Sequence, residues 1–283
     1  MEAFKKMDME EKISFVTDRY RVPGTLTNDE AFTKLMERIE GGELSSPESA
    51  RNKFRILYIS AAASVALLVA LFLSYRELRP VKISTGTGEK QVAELPDGTS
   101  VYLNAMSEIR YSLKKFQNNR RLRLNGEAYF EVKHGSVFAV ESSHGKIMVL
   151  GTSFNVNSRD EYFKVSCFTG RVLVETDSQS DTLGPGESLS YINREYRKQR
   201  EPDISRALAW RDGKFYYEST ELRFVLDEIE RQFGVSIEAS GIEHRRFTGS
   251  FYSGNLEEAL QIVCIPMDLE FQILEPGKVK ISP

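Results

Sequence analysis

Few histidine and cysteine side chains are available in this sequence for a metal site or for general-base chemistry. The chain holds three histidines and two cysteines. His134 and His144 each precede a glycine, so both are predicted to be exposed turn residues. Cys167 falls at an inward position of a predicted strand and Cys264 ends an apolar helix, so both are predicted to be buried free thiols rather than a disulfide. This inventory predicts no metal site and no cofactor.

The spacings of common catalytic motifs are also missing. The sequence has no G-x-S-x-G elbow, no H-E-x-x-H and no G-x-x-x-x-G-K-[ST] phosphate loop. Trp210 is predicted to pack at a domain junction, with a binding hot spot as the alternative. We therefore expect a binding protein and not an enzyme.

The composition is that of an ordinary globular protein. Of the 283 residues 41% are hydrophobic and 28% are charged, which excludes collagen-like, low-complexity and wholly disordered chains. The length predicts about two domains. Lysine plus arginine number 38 against 41 aspartate plus glutamate, a net charge of −3. Direct nucleic-acid binding is therefore not expected.

Residues 56–75 form one uninterrupted apolar segment without a charge, proline or glycine. At ~1.5 Å rise per residue a helix of this length spans about 30 Å, the thickness of a bilayer core. The segment predicts one transmembrane helix, and a buried core helix is the alternative. Within fifteen residues, three lysines and arginines precede the segment and four follow it. The positive-inside rule therefore does not predict its orientation.

Residues 1–55 are too few to build a core alone, but they carry two amphipathic patterns. One apolar stripe precedes Pro23. Thr27 and Glu30 form a capping box that opens a second helix, which Gly41 closes. Such helices need a partner surface or each other, and a helix-in-groove interaction with another protein is the interpretation we favour. The partner-binding candidates on the two faces are Ile13, Val16, Phe32, Leu35 and Ile39.

From about residue 90 to 200 the apolar period changes to two. Short alternating runs recur roughly every ten residues, separated by turn signals such as Asn125-Gly126. This pattern is typical of an antiparallel all-β sandwich, barrel or short solenoid, and we expect a sandwich or solenoid-like domain.

The last segment of the chain mixes strands with two helical stripes, one from Leu222 and one from Leu256. A shift of 34 residues superposes the two apolar patterns, although chance alignment of apolar periods is the alternative. The pattern predicts a small C-terminal α/β domain built of two βαβ-like halves.

The order of these parts resembles the FecR-type anti-sigma factors, and most of all their Bacteroidetes branch. The resemblance covers about residues 81–283, and its final module is similar to the short N-terminal domain of secretins and TonB-dependent transporters. The stretches that carry it are Leu95–Ala105 (LPDGTSVYLNA), Leu124–Val132 (LNGEAYFEV), Val149–Val156 (VLGTSFNV), Gly170–Val174 (GRVLV), Leu183–Glu187 (LGPGE) and Trp210–Gly213 (WRDG).

The resemblance implies a chain with four parts. Residues 1–55 would be a cytoplasmic segment that binds an extracytoplasmic-function sigma factor, and residues 56–75 the transmembrane helix. Residues 76–205 would be a periplasmic FecR-like β domain and residues 206–283 the C-terminal domain. The expected location is the inner membrane, single-pass, with the N-terminus in the cytoplasm.

The implied function is to relay a signal from an outer-membrane TonB-dependent transporter to the sigma factor. The transporter's signalling domain is expected to dock on residues 212–283, because strand edges in a small α/β module accept a partner strand. The alternative is a membrane-anchored periplasmic assembly or ligand-binding protein, with residues 1–55 only a tail.

The resemblance also implies one covalent reaction. Some family members cleave themselves at a Gly–Thr bond in the motif that Gly151 and Thr152 match. The Thr152 hydroxyl would attack the Gly151 carbonyl, turning the amide into an ester that water then opens. The alternative is that Gly151 only makes a tight turn while Thr152 bonds a neighbour. No base is assigned from the sequence.

Overall fold

The computed structural model describes most of the chain after residue 80 and parts of the chain before it. The described residues are Asp8, Glu10, Ser14 and residues 27–41, 58–70, 80–192, 195–239, 241–242, 244–275 and 277–283. Contacts divide the chain into two compact units, Met1–Leu71 and Phe72–Pro283.

The first unit contains the predicted helix α1, Asn28–Glu40. It begins where predicted. The backbone N–H of Thr27 donates to Glu30 Oε2 at 2.9 Å, which is one of the two contacts of a capping box. It ends at Gly41, whose N–H donates to the Glu37 carbonyl at 2.8 Å.

A second helix, α2, is described over residues 58–70. The described stretch of this helix spans about 20 Å at ~1.5 Å per residue. Within the described ranges no helix is both long enough and apolar enough to cross a membrane. The predicted fold class with one transmembrane helix over 56–75 is therefore wrong; residues 56–57 and 71–75 of that segment lie outside the described residues.

The second unit begins with thirteen strands and one short helix, α3, at Leu113–Phe116. The strands are β1 Val81–Ser84, β2 Gln91–Glu94, β3 Ser100–Leu103, β4 Glu108–Tyr111, β5 Arg120–Glu131, β6 Phe138–Ser142, β7 Gly145–Val149, β8 Ser153–Arg159, β9 Tyr162–Cys167, β10 Val172–Glu175, β11 Ser180–Leu183, β12 Glu187–Ile192 and β13 Glu195–Arg200.

These strands form one nearly closed, barrel-like sheet, not the predicted sandwich or solenoid. The first half, which we call the first sheet, has the order β1-β4-β5-β6-β7-β10-β11; the second sheet has the order β2-β3-β5-β8-β9-β12-β13. The long strand β5 belongs to both. Asn125 pairs with β4 of the first sheet and Gly126 with β8 of the second.

Gly126 is required at this crossing of β5. Its φ is 107°, and a Cβ there would lie 2.7 Å from Ser107 Cα. Only glycine combines this backbone conformation with such a close approach. The strand can therefore bend here and join the two sheets around one core.

The alternating pattern predicts correctly which side chains fill that core. On β8 and β9 the inward residues Phe154, Val156, Phe163 and Val165 are fully buried. Their neighbours Asn155, Asn157, Lys164 and Ser166 are polar and lie on the outer face of the second sheet.

The C-terminal module follows a 3-10 segment, Ile204–Asp212. Its elements are β14 Lys214–Glu221, α4 Leu222–Phe233, β15 Ser236–Ala239, β16 Arg246–Tyr252, α5 Leu256–Cys264, a 3-10 turn Ile265–Met267, β17 Glu270–Glu275 and β18 Lys278–Ser282.

The two predicted halves of this module are not βαβ units. The two strands that precede the helices, β14 and β16, pair with each other in antiparallel orientation. The two strands that follow the helices, β15 and β17, both pair with β18, β15 in parallel and β17 in antiparallel orientation. In each half the strands on either side of the helix therefore belong to different sheets. Sequence periodicity detects the repeated elements but not their long-range partners.

Candidate functional site

A buried polar cluster lies where the second sheet meets the C-terminal module. Glu127 on β5 and Asn155 on β8 project from the outer face of the sheet, and Asn104 follows β3. The Asn104 amide donates to Glu127 Oε2 at 2.8 Å, and the Asn155 amide donates to Glu127 Oε1 at 2.9 Å. All three residues are buried, so the two amides stabilise a carboxyl group that has little contact with water.

Helix α4 completes this cluster with Glu228 and Gln232, one turn apart on the same helix face. The Gln232 amide donates to Glu228 Oε1 at 2.8 Å and to Asn104 Oδ1 at 3.2 Å. Arg231 donates to Glu228 Oε2 from two nitrogens, at 2.9 and 2.8 Å. We call the six residues Asn104, Glu127, Asn155, Glu228, Arg231 and Gln232 the polar junction.

The two carboxyl groups of the polar junction have opposite pKa shifts. Burial raises the pKa of Glu127, and the negative charge of Glu228 raises it further. Burial also acts to raise the pKa of Glu228, but the positive charges of Arg231 and Arg159 and its hydrogen bonds outweigh that effect and lower it. Glu228 is therefore the carboxylate that holds the charge, and Glu127 is the one that takes a proton more easily.

Trp210 anchors the 3-10 segment on the same face. Its indole N–H donates to Asn155 Oδ1 at 3.3 Å, and it packs in a cluster that joins Tyr129 of β5 to the C-terminal core. The next residue, Arg211, lies over the ring of Tyr102 with its guanidinium carbon 4.0 Å from the ring centre. Trp210 therefore packs between the second sheet and the C-terminal module, within one compact unit.

Sequence reasoning did not assign the polar junction. Asn104, Glu127 and Asn155 belong to three separate sequence motifs, and Glu228 and Gln232 follow the last of them by more than seventy residues. The sequence signal for this site is that Glu228 and Gln232 are four residues apart, next to the apolar stripe of α4. It identifies a helix face with polar members but not what that face contacts.

A second buried ion pair fixes the β3–β5 corner. Arg120 donates from Nε to Asp97 Oδ2 at 2.6 Å, and its terminal nitrogens donate to the carbonyls of Ser136 and Lys133. Asp97 also accepts the backbone N–H of Thr99 at 3.0 Å. The LPDGT stretch is therefore a turn tied to the sheet by a buried guanidinium.

Gly151 and Thr152 lie between β7 and β8 with the geometry of a closely packed connection. A Cβ on Gly151 would lie 2.8 Å from His134 Cα and 3.0 Å from its ring carbon Cδ2. Thr152 is buried, and its hydroxyl donates to the Arg171 carbonyl at 3.1 Å. Neither residue has a positive φ. Packing alone therefore accounts for the glycine, because His134 leaves no room for a side chain at position 151.

Helix α1 presents an exposed apolar face. Phe32 is 64% exposed, Leu35 55% and Ile39 50%, and they are spaced three and four residues apart. The other predicted partner-binding residues, Ile13 and Val16, lie outside the described residues.

The histidine and cysteine predictions have different outcomes. Cys167 and Cys264 are buried free thiols, as predicted. His144 is not simply exposed: its ring stacks on Phe163 with 5.2 Å between centres, and it bonds Ser158 Oγ at 3.0 Å. Burial lowers the pKa of His144. Among the described residues no group of three or more potential ligands could hold a metal ion.

Comparison with known proteins agrees with this architecture. The family model described as FecR protein matches residues 81–173, and the model described as FecR, C-terminal, matches residues 214–281. Two crystal structures of a protein from Parabacteroides distasonis ATCC 8503, assigned as an anti-sigma factor, are 29% identical to this chain with a TM-score of 0.65. Each match covers 71% of this chain and 98% of the other. No curated protein matches the chain. The chain therefore belongs to the FecR-type anti-sigma factor family.

Proposed function

We propose that this regulator binds an extracytoplasmic-function sigma factor through the apolar face of α1. The observation that carries the proposal is the exposure of Phe32, Leu35 and Ile39 along one side of a capped helix. An amphipathic helix with such a face typically binds in an apolar groove of a partner.

The test is sigma-factor affinity with Phe32→Ala in the full-length protein. A buried aromatic anchor contributes about 2–3 kcal/mol, so affinity should fall ~30–150-fold. Lys34→Ala is the matched control, because Lys34 lies on the same helix two residues away and away from the apolar face. Equal affinity of wild type and Phe32→Ala would exclude Phe32 as an anchor.

We propose that the upstream partner is the signalling domain of an outer-membrane TonB-dependent transporter, docking on residues 212–283. Strand β17 supports this site. In the order β15-β18-β17 it is an edge strand, and its Ile273 and Leu274 are 46% and 49% exposed. An edge with exposed apolar side chains is a natural place for a partner strand to add.

Point variants test the docking site better than a deletion. Removing residues 212–283 would uncover the buried faces of Tyr129 and Trp210, so loss of binding could reflect misfolding. Ile273→Lys should abolish capture of the signalling domain. Gln272→Lys, at the exposed residue directly before Ile273, should retain it. Retained binding by Ile273→Lys would move the docking site away from this edge.

A further inference from the structure

Helix α4 ends against the segment that follows strand β1. The last carbonyls of a helix have no partner within the helix. In α4 the backbone N–H of Gly234 donates to the Glu230 carbonyl at 2.8 Å. The Arg231 carbonyl instead accepts the backbone N–H of Gly88 at 3.0 Å. Gly88 belongs to residues 85–90, which connect β1 to β2 and which we call the latch loop. The latch loop therefore supplies part of the C-terminal cap of α4.

Two glycines allow this close contact. Gly88 has a φ of 63°, and a Cβ there would lie 2.7 Å from the carbonyl oxygen of Gln232. Gly234 has a φ of 70°, and a Cβ there would lie 3.0 Å from Thr87 Cγ2. Both positions combine a left-handed backbone with little room for a Cβ. A side chain at position 88 would therefore push the latch loop away from α4.

Asn104 makes a second connection between α4 and the latch loop. Its side-chain oxygen accepts the Gln232 amide at 3.2 Å, and its backbone carbonyl accepts the Thr85 hydroxyl at 2.6 Å. Thr85 Oγ1 in turn accepts the backbone N–H of Ser107 at 2.9 Å. Asn104 and Thr85 are both buried, so these hydrogen bonds are shielded from water. Helix α4 therefore contacts the latch loop directly at Gly88 and, through Asn104, at Thr85.

Strand β1 has few interactions of its own that hold it in the first sheet. It is four residues long, and among the described strands it pairs with β4 alone. Its apolar residues Val81 and Ile83 are only partly buried against the core. Short edge elements with few buried contacts are among the parts of a fold that open most easily. The anchoring of Thr85, the next residue of the chain, should therefore strongly affect whether β1 stays paired.

These contacts join the C-terminal module to the first strand of the second unit. We propose that the latch loop couples α4 to β1: β1 stays paired with β4 while α4 contacts the latch loop and Asn104, and displacement of α4 releases β1. The paired and released arrangements of β1 are the two states that such a coupling requires.

The coupling gives the C-terminal module a means of acting on the rest of the chain. The chain that precedes β1 leads to the first unit, which carries α1. A partner that binds residues 212–283 and displaces α4 would therefore change how that chain is anchored, a use of the latch loop that rests on the proposed function. The coupling itself lies within the second unit and does not depend on which partner binds.

Hydrogen exchange of the full-length protein, followed by mass spectrometry of its peptides, tests the coupling without any partner. Gln232→Met removes the hydrogen bond from α4 to Asn104, so the exchange rate of residues 81–84 should rise about threefold or more. Arg223→Met is the matched control. Arg223 lies on the same helix but pairs with Glu161 in the turn between β8 and β9, so this variant should leave the exchange rate of residues 81–84 unchanged.

A pair of glycine variants tests the direct contact. Gly88→Ala places a Cβ against the Gln232 carbonyl and should also raise the exchange rate of residues 81–84. Gly86→Ala is its control in the same loop, because a Cβ there would be near only the Glu89 carboxylate, at 3.4 Å. This control should exchange as the wild type does.

The coupling must also act in the opposite direction, because coupling between two sites is reciprocal. Thr85→Val removes the hydroxyl that bonds Asn104, so the exchange rate of residues 230–233, the last turn of α4, should rise.

Three results overturn the proposal. The first is an unchanged exchange rate of residues 81–84 in Gln232→Met or in Gly88→Ala. The second is an equal rise in Arg223→Met, because any weakening of the C-terminal module would then release β1. The third is an equal rise in β5 and β8, because the variants would then destabilise the whole second unit and not β1 in particular.

Discussion

Replacing Arg231 by methionine should destabilise the second unit by about 3 kcal/mol at pH 7.5. Arg231 makes two hydrogen bonds to Glu228 Oε2, and Glu228 is 3% exposed. Removing one partner of a buried ion pair typically costs about 3–5 kcal/mol, because it leaves the other charge uncompensated. We expect the lower end, because Arg159 also lowers the pKa of Glu228. For a unit of this size the loss corresponds to a fall in unfolding temperature of about 6–12 °C.

The deficit should depend on pH with a defined sign. The lowered pKa of Glu228 in the folded protein means that its contribution to stability is present above its unfolded pKa of ~4.3, and is lost as the pH falls through the folded value. Without Arg231, burial raises this pKa. The difference between variant and wild type should therefore shrink between pH 7.5 and pH 5.

Thermal unfolding followed by circular dichroism measures this effect, with two controls. Adding Glu228→Gln to Arg231→Met removes the buried charge and should restore most of the stability. Arg223→Met, on the same helix, removes a cation that is more exposed than Arg231 and pairs with exposed Glu161, so it should cost no more than about 1 kcal/mol. A fall of less than about 2 °C for Arg231→Met, or no recovery in the double variant, would refute the reasoning.

Three further predictions concern other parts of the chain. Self-cleavage at Gly151–Thr152 should leave a C-terminal fragment that starts at Thr152, lost in Thr152→Ala and kept in Thr152→Ser; mass spectrometry that finds only intact chain in resting and induced cells would exclude it. Arg120→Met should cost about 3–5 kcal/mol in chemical denaturation, because Asp97 loses its buried partner, and a cost near zero would contradict that role. Alkaline phosphatase fused after residue 85 should be active if residues 76–283 are periplasmic, as we predict, and low activity there would reverse that assignment.

The sequence by itself determined the local structure of the second unit and which side chains of its strands face the core. Alternation identified Phe154, Val156, Phe163 and Val165, because a strand points successive side chains to opposite faces whatever its partners are. The caps of α1 were also readable, since Thr27, Glu30 and Gly41 act over a single turn. The family resemblance rested on the same local motifs.

Only the tertiary structure decided what covers the outward-facing set. Alternation predicts a polar, solvated outer face, but the segment from Trp210 onward packs on part of it, where Glu127 and Asn155 are buried. The pairing of β14 with β16 and the sharing of β5 between two sheets were equally beyond a local pattern. Hydropathy and periodicity describe one segment at a time, whereas pairing and burial depend on contacts between residues far apart in the chain.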